Sequence, residues 1–120
     1  MILSVIIIKP RTGKFQELLD VLHFVQECTT MKTGCLYSET FIRHGGEEKV
    51  LYMEHWESAE HLSRHVLSKH YAYVLTAIEL AAEPPVVSIF DVVERKGLEL
   101  IRTLRGWEAE VGKDAKTKGN

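Results

Sequence analysis

Glu54, His55 and Trp56 end an apolar run, LYMEHW, and more titratable residues follow at once. His61 and His65 lie four positions apart, one helical turn, with His70 and Tyr71 close behind. Four of the chain's six histidines thus gather around one expected strand-to-helix corner. An imidazole changes charge near neutral pH, so this corner is equipped for acid–base work. The neighbouring aromatic residues would give it the apolar walls usual in small-molecule sites. Metal binding is the competing chemistry, since Glu57, His61 and His65 recur at i,i+4. However, HLSRH has Leu62 where the zinc-protease pattern HExxH carries its glutamate. Glu57 also falls ahead of the expected helix cap at Ser58, so no metal is expected. Cys28 and Cys35, seven apart, are read as reduced thiols with no second ligand pair beside them.

The elements that must position these residues can be read from periodicity. Ile2–Ile8 is almost wholly apolar and β-branched, which predicts a strand covered on both faces. Thr12 is a plausible cap for a helix carrying Leu18, Leu19, Leu22, Val25 and Cys28 at helical spacing, fading near Thr29-Thr30. Residues 35–43 and 49–56 predict two strands joined by a loop at His44-Gly45-Gly46-Glu47. The alternation places Cys35, Tyr37 and Phe41 on one face of the first. On the second it separates Val50, Tyr52, Glu54 and Trp56 from Leu51, Met53 and His55. Ser58 caps the next helix, with Glu60 in its first turn. A second helical piece runs over 69–82 until Pro84-Pro85, with Tyr71 on its apolar stripe and His70 facing solvent. Residues 86–93 form a last strand. Gly97 opens a helix with Leu100, Ile101, Leu104, Trp107 and Val111 on one stripe, and 112–120 form a disordered polar tail.

The resulting order, β-α-β-β-α-β plus a C-terminal helix, predicts an α+β fold of the ferredoxin-like, split βαβ kind with an antiparallel sheet. Its two helices would cover one sheet face only. Both faces are apolar, so the other needs a cover; a sheet-to-sheet homodimer would supply one, with the C-terminal helix helping to lock it. Residues 1–94 would form the domain, and 95–111 the terminal helix.

Composition narrows the partners. The net charge is −2, which argues against a nucleic-acid or membrane-surface footprint. Residues 95–120 hold seven Lys/Arg against four Asp/Glu, a short mixed tail read as solvated. No signal peptide and no membrane span are expected, and the cytoplasm is the expected location.

Several stretches together, GCLYSE (34–39), LYMEHWES (51–58), HLSRHVLSKHY (61–71) and PPVVSIFDV (84–92), resemble the antibiotic biosynthesis monooxygenase family. The resemblance covers residues 1 to about 94 and implies a dimeric α/β barrel with a cavity between sheet and helices in each subunit. It implies one of several activities, among them cofactor-free oxygenation of polycyclic phenols, quinol oxygenation and haem degradation. The haem-degrading branch uses an Asn in the first strand and a Trp and a His in the helical region. This chain has Ile6, His65 and Leu75 there, so haem degradation stands only as a distant third reading.

Oxygenation with neither metal nor flavin needs a substrate that can itself give an electron to molecular oxygen, such as a deprotonated quinol or phenol. The protein must supply a base, a dry cavity and groups that orient the ring. His65 is the expected catalytic base. Phe41, Tyr52 and Trp56 are expected to wall a small aromatic substrate, Tyr37 or Tyr71 to orient it, and Glu54 to tune a histidine. No cofactor is expected. A non-catalytic dimeric domain that binds a small aromatic ligand, or is purely structural, is the alternative.

Overall fold

A computed structural model describes residues 1–106. Residues 107–120, which include Trp107, Val111 and the polar tail, lie outside the described residues. The elements are β1 (Ile2–Ile8), α1 (Phe15–Thr30), β2 (Cys35–Ile42), β3 (Val50–Trp56), α2 (Ala59–Leu67), α3 (Ala72–Glu79), β4 (Val86–Asp91) and α4 (Leu98–Arg105). A single 3-10 turn, Lys69–Tyr71, joins α2 to α3. The four strands form one antiparallel sheet in the order β2-β3-β1-β4, the ferredoxin-like arrangement expected from the sequence.

Side chains alternate across a strand, so β1 and β3 each bury every second residue under the helices. From β1 these are Ile2, Ser4, Ile6 and Ile8; from β3, Val50, Tyr52, Glu54 and Trp56. Leu18, Leu19, Leu22 and Val25 of α1 and Val74 and Ala77 of α3 complete the core. The opposite face, with Leu3, Val5, Ile7, Leu51 and Met53 at its centre, has no second layer among the described residues. The helices do not reach β4, whose Val87 and Ile89 on one side and Val86 and Phe90 on the other all stay exposed.

Several local expectations need correction. Helix α1 begins at Phe15 with Lys14 in the cap position, so Thr12 caps nothing. Its buried stripe ends on Thr29 rather than Cys28, which is only half-buried. In β2 a register shift between Cys35 and Tyr37 pairs Cys35 with Trp56 but Tyr37 with His55. That irregularity puts Cys35 on the helix side and leaves Tyr37 and Phe41 on the open side. Helix α3 stops at Glu79 because Ala81 leaves it to bridge Pro10. His70 is half-buried rather than solvent-facing, since the 3-10 turn lets it and Tyr71 both turn inward. Helix α4 leaves Leu98, Leu100, Ile101 and Leu104 exposed.

Candidate functional site

The alternation of β3 sends Tyr52, Glu54 and Trp56 toward the helices, and the cap at Ser58 brings a helix back over them. Ser58 Oγ accepts from the His61 amide at 3.3 Å, which starts α2 two residues beyond the strand. His65, almost two turns further on, therefore lies above Glu54 and Trp56. Its ring rests over the Trp56 indole with centroids 4.8 Å apart. Glu54 and His65 are each 2% exposed, a depth at which charged groups survive only when fully paired.

Glu54 is fully paired. Its Oε2 accepts from the Tyr52 hydroxyl at 2.7 Å and meets His65 Nε2 at 2.9 Å; its Oε1 accepts from Trp56 Nε1 at 2.9 Å. Burial alone would push the carboxyl up, yet it is held below the ordinary glutamate value by His65, Trp56 and Tyr52. Burial, then the Glu54 charge, push the Tyr52 phenol far up, so it stays protonated and donates. Its oxygen is left to accept from Ser38 Oγ, 2.9 Å away.

This inventory fixes the imidazole tautomer. Glu54 is ionised and can only accept, so Nε2 carries the proton. The Nδ1 lone pair then points outward, where Lys32 Nζ meets it at 3.2 Å. The same ammonium donates to Ser68 Oγ at 2.9 Å, and Ser68 in turn donates to the His65 carbonyl at 2.7 Å. Lys32 reaches this position from the turn after α1, which closes with a Lys32 amide bond to the Thr29 carbonyl at 3.0 Å. Two residues on, Gly34 has φ +86°, and any Cβ there would run into the His61 ring. That close approach lets α2 sit tightly against the turn.

Above the buried pair lies a cleft of about 150 Å³ lined by Lys32, Thr33, Trp56, His61, Arg64 and His65. His61 is held at its edge by a 2.7 Å hydrogen bond between Nδ1 and Ser58 Oγ. Tyr71 packs edge-on against His65 with centroids 5.2 Å apart, and burial pushes its phenol up.

Of the residues singled out from the sequence, Tyr52, Glu54, Trp56, His65 and Tyr71 come together. Tyr37 and Phe41 do not: both are on the open sheet face. There Tyr37 stacks near His55 and hydrogen-bonds Glu39. Phe41 lines a separate hollow with Ile7, Arg43 and Leu51. Among the described residues, no three His, Cys, Asp or Glu side chains cluster as metal ligands would. Leu75 is half-exposed on the outer side of α3, and Ile6 is core. Lys32, Ser38 and Ser68 are the participants that sequence reading missed. Lys32 carries no local signal, being 33 positions from the histidine it touches.

The chain is a small α+β domain of the ferredoxin-like kind, and the comparisons give its family. The antibiotic biosynthesis monooxygenase family model matches residues 1–75, and the chain belongs to that family. No functionally curated protein matches the chain in sequence. Among solved structures, Rv0793 from Mycobacterium tuberculosis is similar with a TM-score of 0.72 at 22% identity, over 80% of this chain and 98% of that one. A candidate antibiotic biosynthesis monooxygenase from Deinococcus radiodurans gives 0.73 at 15%, over 81% and 97%. A conserved protein of Methanosarcina mazei gives 0.69 at 20%, over 74% and 89%. At these identities the likeness speaks for the fold.

Proposed function

We propose that the chain is a cofactor-independent monooxygenase acting on a small aromatic quinol or phenol, with His65 as the base. The observation that carries this reading is the Glu54–His65 pair, buried beneath a cleft, with its one unprotonated ring nitrogen, Nδ1, turned to the Lys32 ammonium on that cleft's wall. A carboxylate behind an imidazole fixes the tautomer and stabilises the imidazolium formed when a proton arrives. The substrate hydroxyl would give its proton to Nδ1, leaving an electron-rich phenolate that can reduce molecular oxygen directly. All four electrons needed to form one inserted oxygen and one water come from the substrate. Trp56 supplies a flat apolar wall for the ring. Family membership supports the reaction class; a homodimer closing over the open sheet face is part of the same proposal.

The engagement of both His65 nitrogens favours a second reading, a domain that binds a small aromatic without turnover. Oxygen uptake by metal-stripped, flavin-free protein against a panel of hydroquinones separates the two. Uptake above autoxidation should fall by about a hundredfold or more in His65→Gln, which keeps a donor for Glu54. Uptake unchanged in the variant removes His65 from the mechanism. No uptake across the panel leaves the binding reading.

A further inference from the structure

The cleft is more cationic than an uncharged phenol needs. Two basic side chains, Lys32 and Arg64, line it together with two imidazoles and one indole, and no carboxylate is on its wall. Glu54 lies beneath, already saturated by three donors. Arg64 is only loosely engaged, 3.9 Å from an exposed Glu60. Lys32 meets no carboxylate among the described residues; its ammonium is held by His65 Nδ1 and Ser68 Oγ, two neutral acceptors. An ammonium in that position blocks the one lone pair of His65 that a substrate could reach.

We infer that Lys32 is an anion-binding gate, and that the cleft takes a single-ring aromatic with an acidic hydroxyl, held as the phenolate or enolate. This rests on the reading of the cleft as a substrate site and deepens it. As the hydroxyl proton passes to Nδ1, the O–H bond breaks and an N–H bond forms. Two donors would then face each other, so the Lys32 ammonium leaves Nδ1 for the new oxyanion. The imidazolium is balanced by Glu54 and the oxyanion by Lys32, with no net charge created. A cation within about 4–6 Å lowers the pKa of an acid by about 1–3 units, so binding itself ionises the ligand. The size suits one ring: about 150 Å³ is the volume of a cavity that holds one benzene.

4-Nitrophenol tests this without oxygen chemistry, because its phenolate is coloured and the ring is too electron-poor to reduce oxygen. Titrated anaerobically with the full chain, bound nitrophenol should ionise at least one pH unit below the free compound. Lys32→Gln keeps donors for His65 and Ser68 but removes the charge, and should abolish the shift while melting like the parent. Lys32→Arg should restore most of it, and Arg64→Gln should change it less than Lys32→Gln. An unshifted midpoint, a shift that survives in Lys32→Gln, or no binding at millimolar nitrophenol would overturn the inference. The two readings fail separately. A Lys32-dependent shift without oxygen uptake from quinols sinks the oxygenase alone; uptake that persists undiminished in Lys32→Gln sinks the gate alone.

Discussion

Strand β3 carries two unlike chemistries on its two faces. Toward the helices it presents Tyr52, Glu54 and Trp56, each at most 2% exposed and tied into one hydrogen-bond network with His65. Toward the open side it presents Leu51, Met53 and His55, half-buried and without a covering layer. The strand backbone is the same; what differs is whether a second layer removes water. Where it does, every polar atom must find a partner and the geometry becomes single-valued. Where it does not, apolar side chains wait for a surface that the described residues do not provide, the condition that marks interaction sites.

The comparison is broken most severely at Glu54. Glu54→Ala strands the Trp56 and Tyr52 donors and the His65 N–H in a dry interior, and should cost about 3–5 kcal/mol by urea unfolding at neutral pH. Glu54→Gln separates charge from shape. Because the folded carboxyl is held below its ordinary 4.5, its stabilisation is complete above that value and is lost as pH falls through the folded pKa. The parent chain should therefore lose stability below about pH 4.5 more steeply than Glu54→Gln does. Parallel unfolding midpoints in the two proteins across that range would show that the carboxylate charge is not what the network holds.

On the open face the expected effect is on association rather than folding. Leu51→Asp puts a charge at the centre of the uncovered surface, opposite Phe41 on β2. A homodimer built on that face should fall to monomer mass in light scattering at micromolar concentration, with secondary structure unchanged. A parent chain already monomeric at that concentration would end the dimer proposal. Oxygen uptake in the variant adds a sharper reading: the cleft is built from one chain, so activity lost with the dimer would mean that the partner's surface completes it.

The sequence made these two faces legible to different degrees. Period-two alternation was enough to sort β3, and the Ser58 cap was enough to place His65 on the helix above it, so Tyr52, Glu54, Trp56 and His65 could be grouped. Strand β2 could not be sorted in the same way. One extra residue near Leu36 reverses the facing of Cys35 relative to Tyr37 and Phe41, and nothing in CLYSETF announces it. Tyr37 and Phe41, expected at the pocket for their ring chemistry, fall on the open side. Lys32 was invisible for another reason. Its role comes from a tertiary approach between the turn after α1 and the end of α2, and long-range contacts leave no trace in local spacing. His70 shows a third limit, since a 3-10 turn breaks the helical period that had turned it outward.

The smallest predicted effect is the cleanest contrast, because it removes one hydroxyl from each face. Tyr52→Phe takes a donor from Glu54 Oε2 and leaves the buried Ser38 hydroxyl without its acceptor, a loss of about 1–3 kcal/mol. Tyr37→Phe removes a hydroxyl whose partner, Glu39, lies on the open side, where water can replace it. Made in the Leu51→Asp background, where no partner chain covers that side, it should shift stability by no more than about 0.5 kcal/mol. Equal losses for the two would mean that the Tyr37–Glu39 pair is shut from water even in the monomer. The open face would then be a second closed layer, and the physical distinction drawn between the two sides of β3 would fail. A loss for Tyr37→Phe that appears only in the parent background, and not with Leu51→Asp, would instead place that hydroxyl under the partner's surface.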